Sequence, residues 1–197
     1  MKRALSKYHY KPSVIKVRRS TCIQHATRII RSSLLQWNLG NRNHRNPNFR
    51  TIIKHPKKIA AFGEEELTIS ENGIKIKLKN WPAVLKQLKE HADYFLEDEE
   101  YFNCAIVKRY ENGKNYKPKH NKEEDPNIDE NSSQVIRSFG ENRIIHFIKE
   151  ETKEYTVTIG HGSMLIVDLP TWQHDISEME NVTETIIITF KKLKKCP

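Results

Sequence analysis

A chain of 197 residues suits one domain with an extension or one larger sandwich, and an apolar share of 37% still leaves aliphatic runs for a single core. No stretch approaches the length of a membrane-spanning helix, and the N-terminus lacks the apolar segment of a secretory signal, so no membrane association is expected. The formal charge of +9 is lopsided: residues 1–60 hold 15 of the 34 Lys and Arg and no Asp or Glu, while the remainder holds 19 basic and 25 acidic residues.

Such a basic end seeks a polyanion, and nucleic acid, RNA or DNA, is the commonest one. The alternative is a solvated tail. Cys22, Cys104 and Cys196 are scattered, odd in number and without a CxxC spacing. Reduced thiols in an intracellular compartment, cytoplasm or nucleus, are expected. The chain sets no oligomeric state.

Met1 to Ser20 interleaves Tyr8 and Tyr10 with cations that include Lys16, Arg18 and Arg19. Rings that stack on bases and cations that hold phosphates suit single-stranded nucleic acid. Ser20 to Trp37 reads as an amphipathic helix through Ile23, Ile29, Ile30, Leu34 and Trp37. An acid-free, Arg- and Ser-containing start also resembles an organelle-targeting peptide. Residues 38–48 are linker-like in their Asn, Gly and Pro, and His44 and His55 lack metal-ligand spacing. Residues 1–54 are therefore expected to form a basic, partly disordered extension, and residues 55–197 the folded domain.

Pro56 to Gly63, which carries Lys57 and Lys58, leads into Leu67–Ile69 and Ile74–Leu78. The second of these alternates apolar residues with Lys75 and Lys77, so one face is buried and the other is basic and wet. It is an ordinary surface strand or a nucleic-acid-facing one. Asn80 to Glu97 is the clearest helix, with Asn80 as cap, Pro82 in the first turn and a stripe of Val84, Leu85, Leu88, Ala92, Phe95 and Leu96. His91 lies beside the stripe and reads as structural.

Strands follow at Asn103–Tyr110, Gln134–Phe139, Arg143–Ile148, Tyr155–Ile159, Ser163–Val167 and Thr185–Phe190. Short strands at regular spacing predict an α+β protein, a double-stranded β-helix or jelly-roll sandwich with packed helices. Lys119 to Ser133 is a long polar loop, the place where a sandwich carries binding groups. His146 and His161 read as strand-end histidines, and Trp172 as cover for the core.

His120 and His174 lie near strand ends, far apart in sequence. Two imidazoles and a carboxylate make the facial triad of a non-haem iron(II) oxygenase. The carboxylate normally stands two residues after the first histidine. Here that residue is Lys122, whose ammonium has no lone pair and repels a cation. Glu123 or Glu124 takes the place of third ligand if the loop shifts.

From Pro56 to Lys192 the chain resembles the AlkB-like family of iron(II)- and 2-oxoglutarate-dependent dioxygenases, which oxidatively dealkylate nucleic-acid bases. PKKIAAFG is similar to the Pro-Arg segment ending in Tyr-Gly near the family's substrate lid. NWPAVLKQL resembles its Trp-Pro helix entry, and FNCAIVKRYENG its strand ending in Tyr before a Gly turn. HNKEE stands where the family writes His-x-Asp-x-Glu. VIRSFGENRIIHF, HGSMLIVDLP and TETIIITFKKL resemble the Ser-Leu/Phe-Gly turn, the Gly-Ser-Leu-Leu strand and the closing Thr-Phe-Arg strand.

The resemblance implies iron(II) held by His120 and His174, with Lys122 in place of the aspartate. It implies 2-oxoglutarate contacts from Tyr110, with Lys108 replacing an asparagine and Thr185 and Lys191 replacing two arginines. A lysine cannot reproduce the two-point grip of a guanidinium on a carboxylate. Dioxygenase activity is therefore expected to be impaired or lost, and nucleic-acid binding through Lys16, Arg18, Arg19, Lys57, Lys58, Lys75 and Lys77 to persist. The alternatives are an active divergent demethylase using Glu123 or Glu124, and a protein-interaction module whose acidic loops contact protein.

Overall fold

The computed structural model describes residues 16–19, 57–63, 67–71, 74–94, 101–114, 127–129, 132–149, 153–168 and 173–194. Eleven strands and one helix are described: β1 (Lys16–Arg19), β2 (Lys57–Gly63), β3 (Thr68–Glu71), β4 (Ile74–Lys77), α1 (Ala83–Asp93), β5 (Cys104–Tyr110), β6 (Ser133–Gly140), β7 (Arg143–Lys149), β8 (Lys153–Ile159), β9 (Ser163–Asp168), β10 (Gln173–Ile176) and β11 (Thr185–Lys191). A six-stranded sheet runs β1-β9-β6-β11-β5-β2, a three-stranded sheet β10-β7-β8, and β3 pairs with β4. Every strand pairing is antiparallel.

Alternation along the strands gives the large sheet two working faces. Ala105 and Val107 of β5, Val135 and Phe139 of β6, and Ile186, Ile188 and Phe190 of β11 pack on one face against Val84, Leu85, Leu88 and Ala92 of α1. The opposite face carries Tyr110, Ile136, Leu165, Val167 and Ile187 against Ile145, Phe147, Ile159 and Ile176 of the small sheet. At its β2–β5 end that face is closed by Ile69 and Leu78 of the β3–β4 region, with Ile128 and Leu193. Cys104, a thiol with no measurable exposure, lies in this last cluster. Each fully buried large side chain contributes roughly 1.5–3 kcal/mol.

The helix differs from its expected form at both ends. Its N-cap is Pro82, not Asn80, and Leu85 and Lys86 donate to the Pro82 carbonyl. It ends at Asp93, whose carboxylate accepts from the Phe102 amide at 2.9 Å and from Lys89 at 2.6 Å. That anchor returns the chain to the sheet. Phe95 and Leu96 lie outside the described residues, as do the helix expected over Ser20–Trp37, Trp172, Cys22 and Cys196. Three strands have no counterpart in the sequence reading: β1, β2 and β10. Of these, β1 belongs to the expected extension, yet its backbone pairs with β9 from Lys16↔Ile166 to Arg19↔Ser163. Among the described residues no helix is long and apolar enough to cross a membrane.

Candidate functional site

The inner face of the large sheet is where the polar candidates meet. On β5, Lys108 and Tyr110 point inward with Ile106, and both are buried. On β11, Thr185, Thr189 and Lys191 alternate inward with Ile187. The register aligns Thr185 with Tyr110 and with Gly140. Ile187 aligns with Lys108 on one side and Ser138 on the other, and Lys191 with Cys104. Thr185 and Lys191 stand six residues apart, so their Cα atoms are about 20 Å apart along the strand. A ligand touching both would lie along β11.

His174 faces this surface from the small sheet. It pairs with Phe147, and its neighbour on the same face, Ile176, pairs with Ile145. The His174 and Phe147 rings lie 5.9 Å apart, and Phe147 is fully buried. His174 and Tyr110 therefore belong to facing walls of one sandwich. His120, Lys122, Glu123 and Glu124 lie outside the described residues.

Thr185 is committed elsewhere: its hydroxyl donates to the Glu141 carbonyl at 3.1 Å and closes the β6–β7 turn. Lys191 is 7% exposed and forms no ion pair with a described residue.

Arg143 is the largest fully buried side chain among the described residues, and the sequence reading gave it no role. It opens β7 on the inward parity of Ile145 and Phe147. Its guanidinium sits 5.3 Å from the centre of the Tyr110 ring. It also donates to the carbonyls of Asn112 at 2.5 Å and Gly113 at 3.3 Å. One cation thus fixes the Tyr110 ring and the turn that follows it. Burial lowers the Arg143 pKa and Tyr110 opposes that shift. Alternation from Ile145 and Phe147 was the signal that could have found it.

A second buried arginine lies on the helix side. Arg137 is 3% exposed, donates 3.7 Å to Met164 Sδ and lies 2.7 Å from His91 Nδ1. The structural role expected of His91 is thus visible: neutral, it accepts from Arg137. Loss of solvation, then the Arg137 charge, holds its pKa below 6.5. A histidine depressed in the folded state binds its proton more readily when unfolded, so its contribution is intact above 6.5 and is lost as pH falls through the folded value. Denaturant titrations at pH 7.5 and 5.5 are expected to show a smaller acid loss for His91→Gln than for the wild type. Equal losses would remove His91 from this role.

Of the expected basic contacts, the side chains of Lys58, Lys75 and Lys77 are described. Lys75 and Lys77 are exposed on β4, as its alternation predicted, over buried Leu78. Lys58 is paired with Glu111 at 2.8 Å on the helix side of β2. That hydrogen bond holds the Glu111 pKa below its ordinary value. The side chains of Lys16, Arg18, Arg19 and Lys57 are outside the described set. His161, in the turn between β8 and β9, accepts at Nδ1 from the Gly140 amide at 3.2 Å and is a strand-end group, whereas His146, expected at a strand end, lies in the middle of β7 and meets Thr156 Oγ1 of β8 at 2.9 Å.

No family model matches the chain. The human protein described as "DNA oxidative demethylase ALKBH2" is 24% identical over 151 residues, 70% of this chain and 57% of that protein. The mouse protein of the same description is 25% identical over 151 residues, 70% of this chain and 62% of that protein. The chain spans little more than half the length of these curated relatives. A solved structure titled "The structure of OsALKBH1" superposes with a TM-score of 0.57 at 13% identity, covering 93% of this chain and all of that one. The chain resembles the AlkB-like dioxygenases. The antiparallel β-sandwich with its single described helix is consistent with the AlkB-like fold.

Two ligand requirements of the AlkB-like family fare differently here. Among the described residues no group of three His, Cys, Asp or Glu is placed to hold a metal, and His174 is the one described member of the expected donor set. The other expected donors, His120 with Glu123 or Glu124, and Lys122 at the carboxylate position, lie outside the described residues. Of the residues expected at a carboxylate cosubstrate, Lys108, Tyr110 and Lys191 are buried on one inward face.

Proposed function

We propose that this chain is an AlkB-like nucleic-acid-binding domain on a double-stranded β-helix, with its dioxygenase turnover impaired. The observation that carries this reading is the replacement pattern on the inner face. Tyr110 and His174 occupy facing walls, yet Thr185 spends its hydroxyl on Glu141 and Lys191 stands where the resemblance places an arginine. Iron with 2-oxoglutarate, when bound, would let dioxygen act as the oxidant, two electrons coming from the cosubstrate as it goes to succinate and CO2 and two from the alkyl group that leaves the base. Losing one charge-assisted pair to that cosubstrate weakens binding by roughly 1.5–3 kcal/mol, tenfold or more. The excess of Lys and Arg over residues 1–60, together with Lys75 and Lys77, supports retained nucleic-acid binding.

Anaerobic iron(II) titration with 2-oxoglutarate tests the reading through the visible charge-transfer band. The wild type is expected to give none, and Lys122→Asp to restore one. A wild-type band that disappears in His120→Ala would instead support an active demethylase with Glu123 or Glu124 as ligand. In parallel, a single-stranded oligonucleotide is expected to bind without iron and to weaken steeply as salt rises. Salt-insensitive or absent binding would favour the interaction-module alternative.

A further inference from the structure

The inner face of β6 holds buried polar atoms that meet no hydrogen-bond partner among the described residues. Gln134 is 2% exposed, and among the described residues neither atom of its amide meets a hydrogen-bond partner. The Ser138 hydroxyl, 1% exposed, is in the same condition. An amide without partners is expensive to bury, and a leucine would fill the position at lower cost. Gln134 points inward, because its pair on β9 is Val167 and its neighbour on the same face is Ile136, both in the core between the sheets.

The register brings these atoms to the two buried lysines. Ile187 pairs with both Lys108 and Ser138, so these two flank it in one rung. The β11–β6 ladder pairs Phe190 with Val135, and its next step sets Lys191 beside Gln134. Each inward lysine thus has a neutral hydrogen-bonding group of β6 in its own rung. Lysine offers a carboxylate one point charge, whereas arginine offers two parallel donors. A lysine and an adjacent amide NH2 divide that two-point grip between two residues.

We infer that Gln134 binds a carboxylate group of a dicarboxylate of the 2-oxoglutarate class, its amide nitrogen donating beside the Lys191 ammonium. This rests on the cosubstrate part of the reading above and not on the iron site. Gln134 has the character of a residue kept for ligand at the expense of stability.

The test is thermal melting of the full chain in EDTA, with and without 2-oxoglutarate, for the wild type, Gln134→Leu and the near-isosteric Gln134→Met. The wild type is expected to melt higher with 2-oxoglutarate at millimolar concentration. Both variants are expected to melt at or above the wild type without ligand, and to bind at least tenfold more weakly. A variant that melts higher without ligand yet binds as tightly overturns the role of Gln134 while the cosubstrate reading stands. Variants that lose binding and also melt lower make Gln134 a structural residue, which also overturns it. No response in the wild type removes the inference and the cosubstrate reading together.

Discussion

Gly113→Ala is expected to destabilise the protein by about 3 kcal/mol, the upper end of what overpacking costs. The added methyl would lie 1.6 Å from the Met179 carbonyl oxygen, a backbone atom that cannot rotate away. The contact is close because two strand-end loops are sewn together here. The Gly113 amide donates to the Val182 carbonyl at 2.9 Å, and the Met179 amide to the Gly113 carbonyl at 3.0 Å. Urea titration should show a lower midpoint with an unchanged slope if the fold survives. A midpoint within error of the wild type would mean that the 179–182 segment yields easily, and that this junction does not hold the loop after Tyr110.

Arg143→Met is expected to cost about 2–4 kcal/mol, because two carbonyls lose a charged donor and a buried acceptor left bare costs about 1–3 kcal/mol. Methionine keeps much of the volume, which separates hydrogen bonding from packing. The local effect should exceed the global one. Hydrogen exchange at the Gly113 and Met179 amides is expected to speed up more than at amides of β6 and β11. If all these amides speed up equally, Arg143 supports the whole sheet and not the turn. Removing a buried charge also relieves its desolvation, so a stabilised variant is the outcome that would sink this account.

Much of the sandwich was legible because its strands are short apolar runs at regular spacing between turn residues, the central ones buried on both faces. Arg143 to Ile148 and Thr185 to Phe190 mark their own limits to within one residue. Strands that lack this signal were missed for physical reasons. In β2 two lysines and two alanines blur the period, and its place in the sheet comes from pairing with β5 along its full length. In β10, Gln173-His174-Asp175-Ile176 holds one apolar residue, and β7 supplies its edge. The Asn80 cap failed because the helix begins after Pro82, whose carbonyl already serves the first turn.

The site was legible in part. Tyr110, Lys108, Thr185 and Lys191 share one inward face because strand parity and register place them there. Arg137, Arg143 and Gln134 were passed over because charged and amide side chains are usually counted as surface. Parity contradicts that habit at each position. Arg137 alternates with Val135 and Phe139, Gln134 with Ile136, and Arg143 with Ile145.

Cys104 gives the protein an internal timekeeper. Its thiol lies within the sheet, aligned with Gly63 of β2 on one side and Lys191 of β11 on the other. A thiol reagent reaches it when the β3–β4 region with Ile69 and Leu78 lifts from this face or β5 parts from its neighbours. The rate of modification at Cys104, read apart from Cys22 and Cys196, therefore measures how often the inward face carrying Lys108 and Tyr110 is uncovered.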